Sequence, residues 1–532
     1  YQIVRRFPEK NEYSLIVADA FRLDEETARR LSEVSTLCAI DEGGDATDWC
    51  DVLFDILPSY KIDRPANISE PSFIALPKNV RPARPERFKK ILVTLGGEDP
   101  AGLTVPAARF FAALPAGTDF FDDERNVTAI LCHEKLPAEE ISGVTFVSPI
   151  ENLKERLSSY DLVVTHYGFT AFEALKAGCG VLLLSTSKLH ENLAKKYGFL
   201  CLAQNALEPS RAASFFQSFE RFFPDAVFCA EQKSYADEIK KIAGGRRYAC
   251  PVCGEHSAEN RIIARTKERT FRRCRRCSMI YISWNRALPM TYEKDYFAEQ
   301  YKNQYGKTYL EDFESIKKAG RRRINEISSV LRAKNLSSWK ILDVGCAYGP
   351  FLAAASERGW LPYGADISAD AVEYIRTQLL FPAVQTSFPD FNPASEFGIN
   401  HFDAVTMWFV IEHFADLKPV LEKVSALVKK GGVFAFSTPS GEGVSARRNT
   451  KDFFKASPSD HFTVWEPSRT AKILRQFGFE VVRIVSTGHH PERFPEVMRR
   501  GSSEDDFLFR YYGVVSRILK LGDTFEVYCR KL

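Results

Sequence analysis

Long apolar runs are missing from this sequence. Nothing in it approaches the roughly 18–20 consecutive apolar residues that a membrane-crossing helix needs, and the stretch 180–184, Gly-Val-Leu-Leu-Leu, is typical of what it has instead. A charged segment followed by an apolar one is also missing from the start of the chain, which excludes a recognisable secretory signal. Net charge is scarce. The 72 Lys and Arg and 69 Asp and Glu residues leave a formal charge of +3, too weak a field to imply nucleic acid or a membrane as partner. There is no internal repeat and no low-complexity tract. These absences lead us to expect a cytoplasmic protein with no membrane span.

What is present is ordinary globular material. Hydrophobic residues make up 45% and charged residues 27%, enough for buried cores, over a length that predicts about three domains. Residues 1–240 alternate β-rich runs with helical patterns, the signature of parallel βαβ units. Strands are expected at Ser14–Asp19, Lys90–Leu95, Val127–Leu131, Leu162–Thr165 and Val181–Ser185. The proline-rich stretch Pro77–Arg87 reads as a linker. Composition shifts abruptly at Gly244–Arg247. Helical periodicity covers Tyr292–Asn335, and strands alternate with helices from Lys340 to about Ser486. The predicted divisions are 1–85, 86–244, 246–290 and 291–490, with 491–532 unassigned.

The run Lys340–Val344 leads into Gly345-Cys346-Ala347-Tyr348-Gly349, and Pro350 opens a helix over Phe351–Arg358. Proline is tolerated there because the first helical N–H groups have no intrahelical partner. Glycines at 345 and 349 allow the backbone to approach a ligand where a Cβ would clash. Asp366 lies 23 residues beyond Asp343, where a second strand of a doubly wound sheet should end. A carboxylate there can accept the ribose hydroxyls of an adenosyl group, or cap a helix. Phe402–Val405, Ile411-Glu412-His413 and Leu427–Phe434 with its Lys430-Gly431-Gly432 turn, leading to Ser437-Thr438-Pro439, follow in order. From Lys340 to Ile484 this series resembles the class I S-adenosylmethionine methyltransferases, with Lys430 in place of the usual proline. The resemblance implies a Rossmann-like fold, S-adenosylmethionine as cofactor, and Asp343, Gly345, Gly349, Asp366 and Ile367 as cofactor-binding residues.

Twelve cysteines are present. Eight are scattered singly and four form two pairs, Cys250/Cys253 and Cys274/Cys277, with 20 residues between the pairs. Two such knuckles supply four thiolates in tetrahedral reach, the pattern of a structural zinc ribbon with no position left for a reactive water. The adjoining Arg272-Arg273-Cys274-Arg275-Arg276 segment is expected as a solvated basic face. A ribbon followed by a catalytic domain resembles methyltransferases of bacterial surface-sugar synthesis.

In the first half, Leu92–Leu95 ends in Gly96-Gly97, and Leu162–Thr165 precedes the helical pattern Thr170–Gly178 that carries Glu173. A glycine turn after a strand suits phosphate binding by backbone N–H groups. The pair resembles the nucleotide-binding half of a GT-B fold, and specifically the UDP-sugar hydrolase of pseudaminic acid synthesis. The resemblance implies that Gly96 and Gly97 meet a diphosphate and Glu173 a ribose. That family's loop with the catalytic histidine has no match here, and Leu189-His190-Glu191-Asn192 stands near the place of its Asn-Gln pair. Binding without hydrolysis is therefore expected.

The expected class is thus α/β: a GT-B-like Rossmann half, a small zinc ribbon and a Rossmann-like methyltransferase domain. The expected function is methylation of a sugar, sugar nucleotide or glycan intermediate. The alternatives are an RNA methyltransferase with the ribbon as recognition module, which the charge balance argues against, and a methyltransferase beside a non-catalytic scaffold. A sugar hydroxyl benefits from a general base near neutrality, a task suited to histidine. Among nine histidines, His461 in a loop before the helix Pro467–Phe477 is expected as that base or as a loop hydrogen-bonder. His413 is expected to shape the donor pocket, with catalysis as its second reading.

Overall fold

The computed structural model describes residues 7–9, 12–20, 22–41, 44–57, 66–96, 99, 101–131, 140–209, 215–225, 233–255, 260–286, 302, 306–332, 338–501 and 506–532. The first sheet is parallel throughout and keeps sequence order, β1 (Leu15–Asp19), β2 (Thr36–Ile40), β3 (Val52–Asp55) and β4 (Ile68–Ser69). A second parallel sheet follows the linker. It contains β5 (Phe88–Val93), β6 (Phe121–Ile130), β7 (Val144–Val147), β8 (Leu162–Thr165), β9 (Gly180–Ser185) and β10 (Leu200–Ala203), in the order β10-β9-β8-β5-β6-β7. Both faces of its centre are covered, so β8 and β9 are buried along their whole length, which is why they read as continuous apolar runs. β6 starts six residues before the expected Val127. Its first half, Asp122–Arg125, is charged and shows no apolar alternation, but pairing of Phe88 with Phe121 holds it in the sheet.

The ribbon is an antiparallel sheet of β11 (Arg246–Arg247), β12 (Arg261–Thr266), β13 (Arg269–Arg273) and β14 (Ile280–Asn285), in the order β11-β14-β13-β12. Its basic segment is not the solvated face expected. Arg272 is 3% exposed and donates to the carbonyls of Asp48, Cys50 and Asn260, while Arg265 donates to those of Thr47 and Cys50. Arg265 on β12 and Arg272 on β13 both turn toward carbonyls of the loop between β2 and β3, leaving Arg275 and Arg276 exposed.

The largest sheet has seven strands, β17-β16-β15-β18-β19-β22-β21. These are β15 (Lys340–Val344), β16 (Leu361–Asp366), β17 (Ala383–Gln385), β18 (Phe402–Trp408), β19 (Val428–Pro439), β21 (Phe479–Thr487) and β22 (Thr524–Lys531). Strands β15 to β19 run parallel; β22 is antiparallel to both of its neighbours. The unassigned tail therefore completes this sheet, and a boundary at 490 would remove a strand from its interior. Glu526 on β22 is 1% exposed and is held by Arg322 and Arg323 of the helix Phe313–Leu331. The expected helix over Tyr292–Asn335 lies partly outside the described residues. The Lys430-Gly431-Gly432 turn is taken up inside β19 as an irregularity of register.

The ribbon is not a separate lobe either. Its cysteines, Met279 and Tyr281 share one core with Leu417, Val420 and Trp465 of the large sheet's layer. The strand β20 (Thr463–Val464), which comes from the large-sheet half of the chain, pairs with β14.

Candidate active site

Parallel strands β15, β16 and β18 end at one edge of the large sheet, and the chemistry-bearing residues collect there. Gly345 and Gly349 have φ of 70° and 79°. A side chain at 345 would drive into Val410, and one at 349 would come within 2.8 Å of Leu379. Both positions therefore require glycine, and Gly349 leads directly into the helix Pro350–Ser356. Asp366, 7% exposed, accepts the Ala347 N–H at 2.8 Å and the Ser368 N–H at 2.9 Å. The cap of the helix Ala369–Tyr374 falls instead to Ser368. Burial raises the Asp366 carboxyl above the usual range, against the pull of those backbone bonds. A carboxylate has about four lone-pair sites, so two remain for hydroxyl donors. Beside it, the apolar side chain of Ile367 stands 48% exposed. Asp343 is deeper. It accepts the Thr406 hydroxyl at 2.6 Å, tying β15 to β18. Burial pushes it up to about 7.

Beyond β18 the chain enters a short helical turn, Ile411–His413. Glu412 is 1% exposed, and among the described residues no donor lies in hydrogen-bond geometry with either of its carboxylate oxygens. Burial pushes it up to about 7, against the charge of His413. The His413 Nδ1 lies 2.8 Å from the Asp460 carboxylate, and its ring meets that of His461 edge-on at 4.7 Å. Burial alone would lower His413, but contact with Asp460 and the charge of Glu412 outweigh it and raise its pKa. Burial and the charge of His413 drive His461 down to about 3. Ligand atoms of Glu412, His413 and His461 all fall within 4.8 Å of one another, a spacing that a cation or a proton relay can use. The two sequence candidates are thus brought together: His413 carries the carboxylate partner, and burial holds His461 low. Glu412 and Asp460 join this cluster without having been singled out in the sequence, although each adjoins a histidine that was.

The loop bearing Asp460 and His461 is held by the ribbon. Arg269 donates to the carbonyls of Ser457 (2.7 Å) and Pro458, Ile282 N–H to Phe462 O, and Arg273 pairs with Glu466. On its other flank the first knuckle receives the N–H groups of Leu417 and Lys418 at Pro251 O, satisfying the start of the helix Leu417–Leu427.

Among known families, the one described as the methyltransferase domain matches residues 314–484. The chain carries an S-adenosylmethionine-dependent methyltransferase domain. The ubiquinone biosynthesis O-methyltransferase of Thiobacillus denitrificans is 26% identical over 172 residues, 29% of this chain and 71% of that enzyme. Its Vibrio cholerae counterpart is 25% identical over 189 residues, 33% of this chain and 74% of that enzyme. Among solved structures, a SAM-dependent methyltransferase from Archaeoglobus fulgidus aligns with a TM-score of 0.33 at 19% identity, over 44% of this chain and 100% of that one. The match begins inside the helix Phe313–Leu331 and ends in β21, so neither the ribbon nor the methyltransferase domain's last strand falls within it.

In the ribbon, Cys250 and Cys277 sulfurs are 3.4 Å apart and Cys253 and Cys274 sulfurs 3.5 Å, all four within 4.8 Å. These spacings are far longer than a disulfide bond of about 2.05 Å. They are close to the roughly 3.8 Å edge of a tetrahedron with metal–sulfur bonds of about 2.3 Å. The donor set therefore fits zinc.

In the first half, β5, β8 and β9 present their carboxyl ends together. Gly96 follows β5 with φ of 81° and open space where a Cβ would stand. Gly97 lies outside the described residues. Glu173 is half-buried on the helix Phe169–Lys176, and burial raises its carboxyl against the charge of Lys154. Two histidines not singled out as site residues stand at the same edge: His166 after β8, its Nδ1 3.0 Å from Leu184 O, and His190 after β9, its Nδ1 buried without a partner among the described residues.

Proposed function

We propose that the protein methylates a hydroxyl group of a sugar, sugar nucleotide or glycan intermediate, and that His413 is the base. The observation that carries this reading is the His413–Asp460 pair beside a buried Glu412, at the sheet edge where ligands of doubly wound folds bind. When bound, S-adenosylmethionine supplies a methyl group on a sulfonium, which brings its own leaving group. Asp366 would hold the ribose hydroxyls, Ile367 would cover the adenosyl group, and the Gly345–Gly349 turn would admit it. The acceptor oxygen would take that methyl group from the sulfonium, and its proton would pass to His413. Asp460 and Glu412 stabilise the resulting imidazolium, the role suggested by the raised pKa of His413. A high-pKa hydroxyl needs such a base; an amine needs much less.

Replacing His413 with Ala is therefore expected to lower turnover by about 10²–10⁴-fold. His461→Ala should cost less, because its low pKa keeps it a neutral hydrogen-bonder. Turnover should also fall as pH drops below neutrality, when His413 takes up the proton that Asp460 and Glu412 favour. Steady-state rates across pH with a defined acceptor check all three; an unchanged rate for His413→Ala would move the base elsewhere.

Residues 1–244 supply the sugar side of the proposal. We read them as a GT-B-like module that binds a uridine nucleotide through Gly96, Gly97 and Glu173. The full chain should then bind UDP, Glu173→Ala should weaken it by about tenfold, the scale of a lost hydrogen bond to a charged group, and UDP-sugars should not be hydrolysed. Calorimetry showing no UDP binding would remove this half of the proposal. A second reading, a phenolic hydroxyl as acceptor, is favoured by the similarity to ubiquinone biosynthesis O-methyltransferases. The same base would serve it.

A further inference from the structure

Phe409 is accounted for neither by its backbone nor by its packing. It directly follows β18 with φ of 58°, a left-handed conformation that is an outlier for so bulky a residue. Arg332 and Leu380 share that conformation, but each closes a helix, where a left-handed residue commonly stands. Phe409 ends a strand instead. Its N–H is held by the buried Ser437 of β19, with the carbonyl oxygen at 3.0 Å and the hydroxyl at 3.1 Å. Those bonds fix the strained turn, which glycine would adopt without strain. The side chain gains little burial in return. Phe409 is 43% exposed and belongs to neither of the cores that flank β18. A strained residue held in place by its surroundings points to function.

Its place in the fold says which function. β16 lies on one side of β15 and β18 on the other, so a crevice opens between the loops that follow β15 and β18, where ligands of doubly wound sheets bind. Asp366, which ends β16, and Ile367 beside it mark the adenosyl side of this crevice. The sulfur of S-adenosylmethionine is bonded directly to the ribosyl group. With Asp366 at the ribose hydroxyls, the methyl end of the donor would therefore lie toward β18. Phe409 stands there, next to Val410, which fills the space beside Gly345, and four residues before His413.

We propose that the Phe409 ring is the wall on which the methyl acceptor lies, and that the acceptor presents a flat ring with an apolar face beside its reacting hydroxyl. An aromatic side chain offers such a ring offset stacking, and offers an open chain nothing comparable. Stacking would hold the hydroxyl between the methyl group and His413, the alignment on which transfer depends. The inference rests on the reading of this edge as a site for methylation of a hydroxyl. Phenols and the C–H face of a pyranose share the required chemistry.

Saturation-transfer NMR on the full chain loaded with S-adenosylhomocysteine tests it, with catechol, methyl glucopyranoside and the open-chain sorbitol as probes. At least one ring compound should be saturated through its ring protons, and sorbitol should not. Which ring responds separates the phenol from the sugar. Phe409→Asn should weaken that binding by about tenfold, and Phe409→Tyr should keep it. Asparagine tolerates a left-handed backbone, so the melting temperature of Phe409→Asn and its calorimetric affinity for S-adenosylmethionine should stay at wild-type values. Binding is read rather than transfer, so the result does not depend on which group takes the proton. No saturation of either ring compound, equal saturation of sorbitol, or wild-type binding by Phe409→Asn would each overturn the proposal. A loss of S-adenosylmethionine affinity as large as the loss of ring binding would overturn it in favour of a cation–π contact with the sulfonium.

Discussion

Asp366→Ala is expected to weaken S-adenosylmethionine binding by about 1.5–3 kcal/mol, roughly 10- to 150-fold, as measured by calorimetry. The effect has two physical sources. The ribose hydroxyls lose a charged acceptor, and the Ala347 N–H loses the carboxylate that pins the glycine turn to the end of β16. Asp366→Asn separates the two. Its one remaining carbonyl oxygen can accept from Ala347 or from a hydroxyl, so an intermediate affinity is expected. Wild-type affinity in the alanine variant would remove Asp366 from the cofactor site. Asp343→Ala should act differently, since its partner is Thr406 on β18. A loss of stability should accompany any loss of binding there.

The second large effect is expected from the ribbon. We propose one structural zinc per chain, held by Cys250, Cys253, Cys274 and Cys277, and elemental analysis should find it. From sequence order alone, removing the metal should loosen only residues 246–290 and leave the donor site intact. The structure extends the damage in one direction. β14 pairs with β20, Arg269 holds Ser457 and Pro458, and the first knuckle receives the start of the helix Leu417–Leu427. A Cys274→Ser/Cys277→Ser variant should therefore misplace the loop of Asp460 and His461. Turnover is expected to drop by about 10²-fold or more, the cost of roughly an ångström of misplacement. Donor affinity should fall far less, because Asp366 ends β16 and Gly345 directly follows β15. Hydrogen exchange should show new opening at 457–466 and 417–420. Exchange confined to 246–290, with turnover kept, would return the ribbon to the status of an appendage.

The glycine turn with Asp366 beside it was legible in the sequence because it is local. Gly345, Gly349 and Asp366 sit at turns where backbone conformation and strand period constrain which residues fit, and the series of five segments fixes their order. The acid–base cluster was legible only in pieces. Ile411-Glu412-His413 and Asp460-His461 are far apart in the chain, and the ranking of the two histidines depends on which one meets the Asp460 carboxylate, a fact of tertiary contact. The misread arginines share that cause. Arg272 and Arg273 look like a solvated basic face in sequence, but Arg272 donates to main-chain carbonyls of other segments, which carry no side-chain signal, and Arg273 pairs with Glu466 far along the chain. The tail was opaque for a different reason. β22 completes the sheet from outside the segment whose motifs gave the fold away, and its Glu526 reads as a surface residue until Arg322 and Arg323 are placed against it.

The claim that joins the donor site to the His413–Asp460 pair is transfer of a methyl group to a hydroxyl. Its most direct test is the mass of the product formed by the full chain from methyl-labelled S-adenosylmethionine and a mixed panel of sugar nucleotides, phenols and bulk RNA. The account predicts a small-molecule product heavier by one methyl group on oxygen, lost in His413→Ala. Label recovered in RNA, or on nitrogen or carbon, would contradict it.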